Sequence, residues 1–317
     1  MQVSPKALWD NSLTLIAENV TLEQYNTWFK PIVFESYNQA TKTLLLNIPS
    51  TFFYEYLEAN YVDLLTKVLT RTFGQGVRLN YRVVVVNSFY DQGTEDACRS
   101  LCKERDADFI TVPNKGFGAG NNTGCRFVMD HYRYRFLVLS NSDIMIRDIN
   151  DLSLIDEHKA VYAADVRMEN GHRQNPHLPF RIGLYLNLLD LSYRWKSNVL
   201  MNVAFAFNRM LRELVVAWTK VNGGKKVRIF SAHGSFIILT YQAVSELSPI
   251  FHEDMFLYNE ELYLAHRCKL LQIPVYYVPT LKVIHLEGAS STIQSNAWKN
   301  HEDSYRVLSS WMRKHHF

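Results

Sequence analysis

The 317 residues carry 47% hydrophobic and 21% charged side chains and a net charge of +3, which describes a globular chain able to bury one large core or two smaller ones and excludes wholesale disorder. Seven Lys and Arg face seven Asp and Glu up to residue 86, and 27 face 24 after it, so neither part has the basic excess of a nucleic-acid-binding surface. Cys98, Cys102, Cys125 and Cys268 show no paired CxxC spacing, which argues against a zinc ribbon and a disulfide framework. No apolar run reaches the length of about eighteen residues that a spanning helix needs, and the amino terminus has no signal-like apolar core. The expectation is a cytoplasmic protein.

In "SPKALWDNSLTLIAENV", Ser4 and Pro5 form a helix start, and Trp9, Leu13, Ile16 and Val20 recur on one face. "TLEQYNTWF" sets Thr21 three residues before Gln24, a capping box opening a second helix. "IVFESYN" and "KTLLLNIP" around "QAT" predict a hairpin. Ser50 then caps a third helix in which Leu57, Tyr61, Leu64 and Val68 keep helical spacing until Gly74 and Gly76. "VRLNYRV" supplies a last strand. The order α-α-β-β-α-β is that of a small α+β, KH-like unit, expected over residues 1–86.

The early "LW", then "YNTWFKPI", then "PSTFFYEYLEANYVDLL" resemble the amino-terminal domain of the bacterial replication initiator DnaA over about residues 5–86. The resemblance implies a module for self-association and for contact with a helicase-type partner, with no direct nucleic-acid binding. Its interaction surface maps onto Trp9, Gln24 and Phe52, although Gln24 stands where the family often carries a glutamate. The competing reading makes Trp9 and Phe52 core residues. No GxxxxGK[ST] run occurs in the sequence, which excludes a P-loop ATPase.

The four valines of "LNYRVVVVNSFYDQG" predict one buried strand ending the first unit and beginning the second. "TEDACRSLCKERD" reads as a helix, "FITVP" as a strand, "NKGFGAGNNTG" as a glycine-rich turn into the helix "CRFVMDHYR", and "YRFLVLSNSD" as an apolar strand ending in Asn and Asp. Such alternation predicts a parallel sheet with its ligand site at the carboxyl ends of the strands. Gly116, Gly118 and Gly120 permit close backbone approach to a bound group, or make only a tight turn, and Asn121 and Asn122 offer side-chain hydrogen bonds.

These motifs, followed by "FSAHGSFIILT" and "FHEDMFLYNEELYLAHRCKLLQIPVYYVPTLKVIHLEGASS", are similar to a family 2 glycosyltransferase of the rhamnosyltransferase-like kind over about residues 83–290. The resemblance implies a GT-A fold, Rossmann-like with a mixed sheet, expected over residues 87–317. It also implies inverting transfer of a sugar from a nucleotide-sugar donor to a glycan or lipid-linked acceptor in polysaccharide biosynthesis. Asp143 takes the place of the metal-binding acid, Asn141 stands for the first acid of a D-x-D pattern, and His285 matches a later metal-contacting histidine. Alone, His285 reads as a buried histidine bonded to a carbonyl. Oxygen-rich ligation with one imidazole suits Mg²⁺ or Mn²⁺. Of the acidic pair Glu260 and Glu261, Glu261 is expected to be the base; two acids at a helix start also complement the helix dipole. His233, Gly234 and Ser235 fall on the acceptor side. Asn87, Asp91, Asn114, Gly116, Gly118, Asn121, Asn122 and Asn141 fall on the nucleotide-sugar side.

The family's first strand has no counterpart here. In a doubly wound order it lies between its second and fourth strands, so a gap is expected in the sheet, with unpaired backbone groups. The alternative to a working transferase is an interaction module carrying an inactive remnant. The aromatic, aliphatic stretch "FRIGLYLNLLDLSYRWKSNVLMNVAFAFNRMLRELVVAWTKV" reads as core, as a dimer face, or as an amphipathic lid on the inner face of a membrane.

Overall fold

The computed structural model describes residues 4–39, 42–47, 51–74, 82–148, 154–286 and 297–317. The chain divides into two compact units, Met1–Val83 and Val84–Phe317, three residues before the expected boundary.

In the first unit, α1 (Pro5–Ala17) starts where Ser4 Oγ accepts the Ala7 amide at 3.2 Å. The short helix α2 (Leu22–Gln24) runs into a wider π turn over Tyr25–Phe29. The expected capping box is present: Thr21 Oγ1 accepts the Gln24 amide at 3.2 Å, and Gln24 Oε1 accepts the Thr21 amide at 2.9 Å. Strands β1 (Val33–Asn38) and β2 (Thr43–Asn47) form the hairpin, with a bulge between Phe34 and Ser36. Helix α3 (Thr51–Phe73) ends at Gly74, whose φ of +87° is the left-handed value that stops a helix. Ser50, Gly76 and residues 77–81 of the strand expected over 77–83 lie outside the described residues, and Arg82 and Val83 precede the next strand without belonging to one. Trp9, Ile16, Phe29, Ile32, Leu57 and Val68 build the core. Trp9 is 1% exposed, so it is a core residue, because the i, i+7 spacing that pairs it with Ile16 points both at α3. Phe52 lies on α3 with its side chain outside the description.

The second unit holds two separate sheets. Strand β3 (Val84–Ser88), helix α4 (Gln92–Glu104) and strand β4 (Asp108–Val112) form a parallel β-α-β ribbon. Every residue of β3 is half-buried and Val83 is exposed, which corrects the expectation of a buried strand. The reason is pairing: among the described residues β3 bonds to β4 alone. Helix α5 (Phe117–His131) leads to β5 (Phe136–Ser140), the edge of the larger sheet. That sheet continues with β6 (Ile144–Asp148), β7 (Val161–Met168), β8 (Val227–Ile229), β9 (Phe236–Thr240) and β10 (Val275–His285). Its order is β5-β9-β7-β10-β6, with β8 on the outer half of β10. β7 and β10 are parallel, whereas β5–β9, β9–β7 and β10–β6 are antiparallel. The sheet is therefore mixed, and the purely parallel reading drawn from strand alternation holds only for β3–β4 and β7–β10.

Both faces of the larger sheet are covered, as the uninterrupted burial of β9 requires. Val161, Ala163, Ile237 and Leu239 face one core with Cys125 of α5, while Tyr162, Ala164, Phe236 and Ile238 face another. Helices α6 (Gly183–Arg194) and α7 (Asn198–Val221) follow β7 and pack on each other. Helices α8 (Tyr241–Leu247), α9 (Glu260–Leu270) and α10 (Ala297–Lys314) complete the unit.

Candidate functional site

The carboxyl ends of β5, β7 and β10 and the amino end of β9 lie at one rim of the sheet, and a cluster of polar side chains gathers there. The turn after β5 is tied to β9 by the Asn141 amide, which donates to the Ser235 carbonyl at 2.9 Å. Asp143, next in that turn, accepts the Leu286 amide on its own carbonyl at 2.9 Å. This holds Asp143 beside His285, the last residue of β10: Asp143 Oδ1 lies 3.2 Å from His285 Nε2. Asn141 Nδ2 is 3.4 Å from the same nitrogen. On the other side of the ring, Nδ1 lies 2.9 Å from Gln174 Oε1. An amide oxygen can only accept, so the Nδ1 proton goes to Gln174 and Nε2 faces the carboxylate.

The loop before β9 is fixed from two directions. Asn175, fully buried, accepts the His233 amide on Oδ1 at 2.7 Å and donates from Nδ2 to the Ala164 carbonyl at 3.0 Å. Gly234 donates its amide to Glu261 Oε1 at 3.2 Å. A Cβ at 234 would stand 3.0 Å from that oxygen, so glycine is what lets the carboxylate approach. Ser231 Oγ donates to the Glu261 carbonyl at 3.1 Å and lies 3.0 Å from His177 Nδ1. The rings of His177, His233 and His285 follow one another with centroids 6.0 Å apart at each step.

Electrostatics separates the two adjacent acids. Glu260 is 3% exposed and its Oε1 has no hydrogen-bond partner; burial, then the neighbouring charge of Glu261, pushes its carboxyl up to about 8. Burial also acts to raise Glu261, but His177, His233 and the amides of Glu261 and Gly234 outweigh it and hold the carboxyl below its ordinary value. His233 is pushed down to about 4 by burial, against the opposing pull of Glu261.

Asn141, Asp143, His233, Gly234, Ser235, Glu261 and His285 are thus brought together. The residues expected on the nucleotide side are engaged otherwise. Asp91 caps α4, accepting the Thr94 amide at 2.8 Å and hydroxyl at 2.9 Å, and the amide bond holds its carboxyl low. Asn114 Oδ1 accepts the Gly116 amide, and Asn121 Nδ2 donates to the Phe117 carbonyl. Asn122 is buried and clamps Phe251 by both backbone groups, at 2.9 and 3.1 Å. The glycine-rich stretch is a correction of kind: only Gly116, with φ +103°, is a turn residue, and Gly118 and Gly120 lie inside α5. A Cβ at Gly118 would meet Phe251 at 2.9 Å and one at Gly120 would meet Ser88 at 3.1 Å, so these glycines serve helix packing. Asn87 alone keeps a buried side-chain amide without a partner.

Sequence reasoning missed Gln174, Asn175, His177 and Ser231. The signal was the polar run "HRQNPH" directly after an apolar strand. In the first unit, Gln24 is occupied by its capping box, beside Leu22 at 77% exposure. Among the described residues no group of three or more His, Cys, Asp or Glu is placed to hold a metal ion. The donor set present is one carboxylate and one imidazole, beside the side-chain amide of Asn141, which turns its nitrogen toward His285. It fits a hard divalent cation that takes its other ligands from water and phosphate.

Residues 6–71 match the family model of the DnaA N-terminal domain. Three relatives are chromosomal replication initiator proteins DnaA. That of Bacteroides thetaiotaomicron is 50% identical over 78 residues, covering 25% of this chain and 16% of that protein. That of Bacteroides fragilis is 47% identical over 81 residues, covering 26% and 17%. That of Flavobacterium psychrophilum is 37% identical over 89 residues, covering 28% and 18%. The chain thus spans less than a fifth of the length of these relatives. Among solved structures, GalNAc-T7 with UDP, GalNAc and Mn²⁺ aligns with a TM-score of 0.42 and 10% identity, covering 65% of this chain and 38% of that one. A197 from STIV aligns at 0.35 and 9%, covering 65% and 86%. The inositol-1-phosphate CTP transferase from T. maritima aligns at 0.32 and 9%, covering 69% and 74%. The part of the chain that matches the DnaA N-terminal domain therefore lies in the first unit, and the polar cluster lies wholly in the second.

Proposed function

We propose that the second unit is a metal-dependent, inverting glycosyltransferase of the family 2 type, and that the first is a protein-interaction module for self-association or a helicase-type partner. The observation that carries the first part is the approach of Asp143 to His285 at 3.2 Å, in one cluster with Glu261. Asp143, His285 and Asn141 would hold Mg²⁺ or Mn²⁺, which when bound neutralises the diphosphate of a nucleotide-sugar donor. Gln174 fixes the His285 tautomer that leaves Nε2 as the ligating atom.

Glu261 takes the proton from the acceptor hydroxyl of a glycan or lipid-linked substrate. By proton affinity alone Glu260 is the better base, but it is buried, whereas Glu261 is ionised, half-buried and aimed by Gly234. His233 and Ser235 line the acceptor side, and Asn87 offers an amide to the nucleotide.

A second reading, an interaction module with an inactive transferase remnant, is favoured by one observation: β3 and β5 have no strand shared between them among the described residues. Donor hydrolysis over a panel of nucleotide sugars, with and without Mn²⁺, separates the two. Metal-stimulated turnover supports the transferase, and its absence over the whole panel supports the remnant. In calorimetry with Mn²⁺ and nucleotide, Asp143→Ala is expected to abolish cation binding, because the cation loses the one carboxylate of its donor set. Undiminished binding in that variant would overturn the metal assignment.

A further inference from the structure

Helix α7 has two apolar sides. One packs inward through Ala204, Val215, Val216 and Thr219. The other carries Val199, Val203, Met210, Leu214, Trp218 and Val221, which are 71, 50, 53, 61, 60 and 84% exposed. At 100° per residue these six fall within a stripe about 100° wide, running most of a helix about 36 Å long. Leu184 on α6 and Trp195 in the turn between the helices are also exposed, at 59% and 69%. An isolated exposed leucine needs no explanation, but a continuous stripe does.

Charge identifies what covers it. Residues 180–226 hold eight Lys and Arg against two Asp and Glu; of these, Arg194, Lys196 and Lys226 are ion-paired and Arg212 is buried on the inward side. Arg209, Lys220 and Lys225 are exposed and make no ion pair among the described residues. On the helical wheel Arg209 and Lys220 flank the stripe on one side, together with Glu213, whose carboxylate is paired with Arg173. No helix of the described residues is long and apolar enough to cross a membrane, and Trp195 and Trp218 stand toward the two ends of the stripe, where an amphipathic ring suits a membrane interface.

We propose that the exposed face of α6–α7 docks on an anionic lipid surface, with the apolar stripe of α7 entering the headgroup region and the flanking Arg209, Lys220 and Lys225 meeting the lipid charges. The docking is independent of the transfer chemistry, and its test uses no turnover. The full chain is sedimented with phosphatidylcholine vesicles, with and without phosphatidylglycerol. Binding is expected only to the phosphatidylglycerol vesicles, and it should weaken by about tenfold or more at high salt. Leu214→Glu with Trp218→Glu should abolish binding while leaving the circular dichroism and melting curve unchanged, since both side chains are exposed. Arg209→Glu with Lys220→Glu should weaken it by about tenfold or more. Equal binding to both vesicle types, no binding to either, or binding untouched by the Leu214/Trp218 variant would overturn the proposal. So would a dimer of the unaltered chain that the same variant splits into monomers, which would give the face to a second copy.

Discussion

Glu260 and Glu261 are neighbours in sequence with opposite electrostatic settings. The first turn of α9 turns one carboxyl inward, where its Oε1 finds no partner, and the other toward Gly234. Two predictions follow from that split. Glu261→Gln preserves shape and the contact with the Gly234 amide but cannot take a proton, so transfer is expected to fall by roughly 10²–10⁴-fold; a larger loss in Glu260→Gln would reassign the base. For Glu260, a carboxyl raised to about 8 is more easily protonated in the folded chain than in the unfolded one, whose value is near 4.5. The folded state therefore loses stability as pH rises from about 4.5 through about 8. Glu260→Gln is free of that loss, so its stability relative to the unaltered chain should improve by roughly 2–4 kcal/mol between pH 5 and pH 8.5 in denaturant titrations. A pH-independent difference would show that Glu260 is not the titrating group. Asp143 and His285 were brought forward by the motifs they stand in, whereas Gln174 belongs to no such motif, and its polar run does not say which distant side chain it meets.

At the scale of elements, α5 shows how composition can mislead about backbone. "GFGAGNNTG" has the residues of a loop, yet all but its first glycine is helical. Low intrinsic propensity is overcome because the missing side chains let the helix lie close to β3 and to residues 251–256: a Cβ at Gly124 would stand 2.9 Å from Val86 Cγ2. Gly116 carries two constraints at once, a φ of +103° and a would-be Cβ contact of 2.3 Å with the Phe256 carbonyl oxygen. Gly116→Ala should therefore destabilise the unit by about 2–4 kcal/mol, against about 1 kcal/mol for Gly171→Ala, where φ is +81° but the space is open. Urea titrations of both variants compare them directly, and equal effects would mean that the approach to Phe256 is unimportant. The helix starts at Ser4 and Thr21 were legible because a cap is a local hydrogen bond between residues three apart.

At the scale of the molecule, the consequential feature is the edge of β5. The bonds from the Asn141 amide to Ser235 and from the Tyr241 amide to Arg135 set the alternation of this antiparallel pair. The Leu137 and Leu139 amides face β9, and those of Phe136, Val138 and Ser140 face the side on which β5 has no partner strand among the described residues. Hydrogen exchange should therefore alternate along β5, with 137 and 139 protected and 136, 138 and 140 exchanging quickly. Uniform strong protection would mean that another strand occupies the edge and that the sheet has no gap. A gap would also explain why β3, four valines in a row, remains half-buried.

Whatever rests on near neighbours was legible in the chain's order of residues. Apolar periodicity placed α1 and α3, caps placed the helix starts, apolar runs placed β3, β4 and β5, and the order of motifs brought Asp143, Glu261 and His285 forward as candidates. It also located the join near the valines, since one complete α-α-β-β-α pattern ends before another alternation begins. Tertiary structure alone decided which candidates meet. It buried Trp9, engaged Asn122 on Phe251, recruited Gln174 and Asn175 into the cluster, and separated the environments of two adjacent glutamates. It also left one whole side of α7 exposed, a face that helical period marks as apolar but cannot assign to core or surface. The reason is the same throughout: burial, hydrogen-bond partners and proton affinity are set by atoms far away in the chain, and local spacing carries no information about them.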